Sequence, residues 1–108
     1  MIKRNLAEKL KALSKKMPVV SVVGPRQSGK TTLIKEVFKN KPYVSLESLE
    51  ELAYAESDPR GFLSKYPKGA ILDEVQRSPH LFSYIQGIVD DINKPGMFIL
   101  SGSQHFYY

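Results

Sequence analysis

Two short stretches of this 108-residue chain combine residue types that can do chemistry. In Gly24-Pro25-Arg26-Gln27-Ser28-Gly29-Lys30-Thr31, two glycines are separated by four residues, and a lysine and a hydroxyl follow at once. This is the spacing of a phosphate-binding loop, the Walker A motif. Phosphate oxygens carry dense negative charge, so such a loop has to aim several backbone N–H donors inward together. Glycine at 24 and 29 permits the backbone angles and close approach that a Cβ obstructs. A helix opening near Lys30 adds unpaired N–H groups and the positive end of its dipole. Lys30 is expected to reach the β- and γ-phosphates, the Thr31 hydroxyl to ligate Mg²⁺, and Thr32 to make a further phosphate contact.

The second stretch is Ile71-Leu72-Asp73-Glu74, an apolar run ending in two carboxylates, the arrangement called Walker B. Asp73 is expected to hold the Mg²⁺ shell through water. Glu74 is expected to polarise the attacking water, a task that hydrolysis requires and simple phosphate binding does not. Lys30 and Glu74 are therefore the candidate catalytic pair, and Thr31 and Asp73 the candidate metal pair. A third polar group, Ser101, Ser103 and Gln104, follows the apolar segment Met97–Leu100. Ser103 is the member assigned to the nucleotide, with an ordinary polar strand exit as the alternative. Gln76 and Arg77 lie just beyond Glu74, and Arg77 is either a charge stabiliser or a surface residue. His80 and His105 have no partner at ligand spacing and read as surface residues.

These groups need a scaffold that brings them together. Leu6, Leu10, Leu13 and Met17 recur at helical spacing among lysines over residues 3–17, and Pro18 ends that helix. Val19–Val23 is a continuous β-branched run, suited to a buried parallel strand. Leu33, Ile34, Val37 and Phe38 mark the apolar face of the helix after the loop. Tyr43–Leu46 is a second short strand. The acidic stretch from Glu47 to Asp58 reads as a solvated helical face, and Asp58-Pro59 as an N-cap with a first-turn proline. Ala70–Leu72 is a third strand. Ser78-Pro79 is read as a second cap, opening a helix with Leu81, Ile85, Ile88, Val89 and Ile92 at helical spacing. Met97–Leu100 is a fourth strand. Strands alternating with helices predict a parallel α/β sheet in one domain.

Composition bounds the rest. With 42% hydrophobic and 25% charged residues, disorder and collagen are excluded. The absence of cysteine excludes disulfides and thiolate metal sites. No apolar run approaches the roughly 20 residues needed to span a bilayer, so a cytoplasmic, unanchored protein without a membrane partner is expected. The net charge of +5 is local. Residues 1–16 carry six basic groups and one acid, and the remaining residues balance. A basic amphipathic N-terminal helix is expected, packed on the domain by its apolar stripe, and a basic face across the whole fold is not.

Gly-Pro-Arg-Gln-Ser-Gly-Lys-Thr-Thr, Leu-Asp-Glu-Val-Gln-Arg and Phe-Ile-Leu-Ser-Gly-Ser-Gln, in this order, resemble the AAA-type P-loop ATPases of bacteria and archaea. The similar family is one whose full-length members continue into a C-terminal domain of unknown function, and Asp58-Pro59-Arg60-Gly61-Phe62 also fits its pattern. The resemblance implies an α/β P-loop NTPase three-layer sandwich with a mainly parallel sheet of about four strands, and ATP and Mg²⁺ as cofactors. In such proteins a fifth strand and a helical lid follow, so residues 1–108 are expected to be an incomplete ATPase domain, with 1–17 as its basic helix. With the family's strand order 5-1-4-3-2, Val19–Val23 becomes an open edge for a protein partner or self-association. DNA is a partner to consider for a full-length relative, and the charge balance gives it little support here. Two other function classes start from the same loop: a small-molecule or nucleotide kinase, and a non-catalytic ATP-binding interaction module.

Overall fold

The computed structural model describes residues 2–24 and 29–103. Helix α1 (Ile2–Ser14) leads into strand β1 (Val19–Val23), helix α2 (Lys30–Val37) and strand β2 (Tyr43–Ser45). Helices α3 (Leu49–Ser57) and α4 (Pro59–Ser64) follow, then strand β3 (Ala70–Asp73), a 3₁₀ turn at Val75–Arg77, helix α5 (His80–Ile92) and strand β4 (Phe98–Gly102). The predicted alternation is met element for element, apart from the 3₁₀ turn.

The four strands form one all-parallel sheet in the order β1-β4-β3-β2. Every strand connection passes over a helix, as parallel neighbours require. Side-chain parity then divides the core. Val44, Ala70, Leu72, Phe98 and Leu100 point to the face covered by α3, α4 and α5, where Phe62, Leu63, Leu81, Ile85 and Val89 meet them. Val20, Val22, Ile71 and Ile99 point to the other face and pack with Leu10 of α1 and Ile34 of α2. The sheet is thus the middle of three layers. Both central strands, β3 and β4, are buried at every residue. β1 is buried only at Val20 and Val22, and among the described residues its outer edge has no strand beside it.

Local chemistry fixes the element ends. Asp58 caps α4 by accepting the Gly61 N–H at Oδ1, 3.0 Å, with Pro59 in the first turn. Ser48 caps α3 through the Glu51 N–H, and Glu50 and Glu51 sit at its positive end. Gly69 turns the chain into β3 with φ +92°, and a Cβ there would overlap the Met97 carbonyl.

Three sequence expectations are corrected. α1 ends at Ser14, so Met17 lies beyond it and is 48% exposed. Ser78 does not cap α5: its hydroxyl is buried without a hydrogen bond among the described residues, and Pro79 occupies the cap position. Ile92, expected on the buried stripe of α5, is 44% exposed at the helix's last turn. The acidic stretch is a solvated face, with Glu47, Glu50, Glu56 and Asp58 all exposed. No helix among the described residues is long and apolar enough to cross a membrane.

Candidate phosphate and metal site

The carboxyl ends of β1, β3 and β4 and the first turn of α2 converge at one end of the sheet. Gly29 stands before α2 in the left-handed region, φ +81°, the conformation glycine adopts without strain. Gly24 extends the ladder past β1, its N–H donating to the Gly102 carbonyl at 3.2 Å. Pro25, Arg26, Gln27 and Ser28, the middle of the predicted loop, lie outside the described residues, as does Gln104 with the rest of 104–108. Lys30, the first residue of α2, is 7% exposed. No hydrogen-bond partner for its ammonium lies among the described residues. Thr32 faces solvent.

Asp73 is the hub. Its Oδ2 accepts the Thr31 hydroxyl at 3.1 Å and the Tyr43 hydroxyl at 2.6 Å. Its Oδ1 accepts the Ser101 hydroxyl at 2.6 Å and the Glu74 backbone N–H at 3.0 Å. Register explains the arrangement. Ser101 is the direct parallel partner of Asp73, and Tyr43 is paired with Ile71 two residues earlier on the same face. A tyrosine is long enough to cross that diagonal, where a shorter side chain would stop at its own neighbour. Burial alone would push the Asp73 carboxyl up, but the hydroxyls of Ser101, Tyr43 and Thr31 and the charge of Lys30 outweigh it and hold it below its ordinary value. Burial, and next the bond to Asp73, push the Tyr43 phenol far above its ordinary value, so it stays a donor.

Glu74 is placed differently. It follows the strand with φ 54° and ψ 42°, a left-handed conformation uncommon for a residue with a side chain. That turn carries its carboxylate away from the strand direction, and it is only 4% exposed. Oε1 accepts the Ser103 hydroxyl at 2.9 Å and the Gln76 amide at 2.6 Å. Among the described residues no donor reaches Oε2. Arg77 and His80 are exposed.

The structure therefore gathers Lys30, Thr31, Asp73, Glu74 and Ser103 at one end of the sheet, and adds Tyr43, Ser101 and Gln76 as their direct partners. The sequence only grouped Ser101 with Ser103 and Gln104 at the end of a strand, whereas in the folded sheet it supports Asp73. Tyr43 read simply as a strand residue, because its role depends on a register that only the folded sheet defines. A separate cavity of about 780 Å³ lies between α4 and α5, lined by Arg60, Leu63, Tyr66, Tyr84 and Ile88 among others, and shares no residue with this constellation.

A family model described as an AAA domain matches residues 16–108. The uncharacterized protein Rv2008c of Mycobacterium tuberculosis and the uncharacterized protein Mb2031c of Mycobacterium bovis are each 35% identical over 102 residues. The match covers 94% of this chain and 23% of each relative, so the chain spans about a quarter of their length. No solved structure matches. The AAA domain match runs from the end of α1 through β4 and takes in the lysine, the hydroxyl and both carboxylates of the site, and on that ground the chain belongs to the AAA domain family.

Proposed function

We propose that this chain binds ATP together with Mg²⁺ and hydrolyses the β–γ phosphoanhydride bond. The observation that carries the reading is the Thr31–Asp73 hydrogen bond at the start of a helix whose first residue is a buried lysine. A buried ammonium with no partner among the described residues is suited to an anion that joins it, and phosphate at a helix N-terminus is such an anion. The donor set also suits Mg²⁺. Among the described residues no three His, Asp or Glu side chains could cage a cation. Mg²⁺ does not need a cage, since it keeps several waters and leans on substrate phosphates. Thr31 Oγ1, and Asp73 through water, would hold it, and its charge would neutralise the phosphate oxygens.

In this proposal Lys30 and the Gly24–Thr32 segment orient the triphosphate, with Pro25, Arg26, Gln27 and Ser28 completing the cradle. Glu74 Oε2 accepts a proton from the attacking water. The water oxygen bonds to the γ-phosphorus, the bond to the bridging oxygen breaks, and ADP and phosphate leave. Gln76 fixes Oε1, which aims Oε2, and the Ser103 hydroxyl turns its one proton from Oε1 to the γ-phosphate when nucleotide is present. The same reading takes residues 1–108 as one ATPase domain with α1 as its basic N-terminal helix, working in the ATP-rich cytoplasm. The open edge of β1 is the surface it offers to a further strand, including one from a second copy.

Calorimetry tests the proposal. Wild-type chain should bind Mg·ATP, and Lys30→Ala should not. Glu74→Gln should keep binding and lose phosphate release by about 10²-fold or more. Retained binding in Lys30→Ala would refute the assigned site. A phosphorylated acceptor among the products, in place of free phosphate, would favour a kinase.

A further inference from the structure

Asp73 is saturated. An ionised carboxylate offers about four acceptor positions, and all four are filled by Thr31, Tyr43, Ser101 and the Glu74 N–H. A carboxylate that reaches a metal ion through water needs an acceptor position free for that water. One of the four donors must therefore leave when the hydrated ion arrives.

The four are not equally free to do so. The Glu74 N–H belongs to the backbone at the end of a central strand. Ser101 is 1% exposed on β4 and is pinned opposite Asp73 by the strand register. The Thr31 hydroxyl can keep donating its one proton to Asp73 while its lone pairs face a cation. Tyr43 alone sits on an edge strand, half-buried, at the end of a long side chain. It shares Oδ2 with Thr31, so its hydroxyl lies on the side of Asp73 that faces the candidate metal ligand. Its ring packs under the ammonium of Lys35 in the last turn of α2, 4.0 Å from the centroid.

We propose that the Tyr43 hydroxyl is a placeholder on Asp73 Oδ2, occupying the position that a metal-bound water takes when Mg²⁺ and nucleotide bind. This rests on the proposed ATP and Mg²⁺ reading and adds a residue that sets how much Mg²⁺ the site requires. Tyr43 keeps the buried carboxylate satisfied in the empty protein and competes with the ion. Removing its hydroxyl leaves Oδ2 short of one donor, so the hydrated ion meets no competitor.

The test is nucleotide binding followed by calorimetry across a Mg²⁺ series, for wild type and Tyr43→Phe. Tyr43→Phe should reach half-saturation at about tenfold lower Mg²⁺, the scale of one hydrogen bond to a charged group. An unchanged or higher Mg²⁺ requirement would overturn the proposal, since a merely supporting tyrosine weakens the site when truncated. A second measurement needs no variant. With ¹³C-labelled tyrosine, the Tyr43 phenol carbon of the wild type should shift on adding Mg·ATP and stay put with ATP alone. A signal unmoved by Mg·ATP would also overturn it. If wild type binds no Mg·ATP at all, the functional reading falls and takes this inference with it; if wild type binds and the other results fail, only the placeholder falls.

Discussion

On one side of the sheet, α3, α4 and α5 bury a continuous cluster that includes Phe62, Leu63, Leu72, Leu81 and Phe98. On the other side Leu10 of α1 and Ile34 of α2 join Val20, Val22, Ile71 and Ile99 of the sheet in a cluster of six buried residues among those described. The aromatic contacts follow the same division, since Tyr54, Phe62 and Tyr66 meet edge to face under the first layer. Yet Lys30 and Thr31 stand on α2, in the thinner layer, and Asp73, Tyr43 and Ser101 point toward that face. The thicker layer holds the sheet, and the thinner one carries the candidate phosphate and metal residues. Regions that must admit and release a ligand are drawn from the less stable parts of a fold, and this division places them there.

The contrast can be tested by breaking each layer. The largest effect is expected from Phe62→Ala, which empties the centre of the thicker layer and should cost about 3–5 kcal/mol, read as a lower denaturant midpoint for the whole domain. Leu10→Ala should cost about 2–3 kcal/mol, and hydrogen exchange should show that loss concentrated in α1. Equal deprotection on both faces would mean the layers are one cooperative unit. Next comes ligand: Mg·ATP at a hundredfold excess over Kd should add about 2.7 kcal/mol, with exchange protection rising in α2 and β1 ahead of α4 and α5. Asp58→Ala, which removes the α4 cap, should cost about 1 kcal/mol and leave nucleotide binding as it was.

The Asp73 carboxyl is held below its ordinary value, so its contribution is complete above the unfolded value near 3.9. That contribution is lost as pH falls through the lower, folded value. Thermal unfolding followed from pH 5 to pH 2 should therefore fall less steeply in Asp73→Asn than in wild type.

The sequence carried most of this where the signal is local. Val19–Val23 and Met97–Leu100 read as strands because continuous β-branched and apolar runs suit a doubly covered sheet. Asp58-Pro59 read as a helix start because a cap and a first-turn proline act within three residues. Lys30, Thr31, Asp73 and Glu74 stood out because phosphate chemistry dictates both spacing and residue type, and the fold brings them to one end of the sheet. What stayed hidden depends on partners distant in the chain. Tyr43 acquires its role from the β2–β3 register, and Ser101 from the β3–β4 register, which no local pattern encodes. The Ser78 cap failed because a 3₁₀ turn at Val75–Arg77 intervenes, drawing Ser78 into the core with its hydroxyl unbonded.

The strand order has a kinetic consequence. Among the described residues β1 pairs only with β4, about 75 residues later: Val19 meets Phe98, and the Gly24 N–H bonds to the Gly102 carbonyl. Closing so long a stretch of chain costs entropy before any hydrogen bond repays it. During synthesis α3, α4 and α5 can collapse around β3 while β1 still waits for its neighbour. The end of the sheet that carries Gly24 and the first turn of α2 is therefore the last part to assemble, and it waits until the fourth strand has left the ribosome.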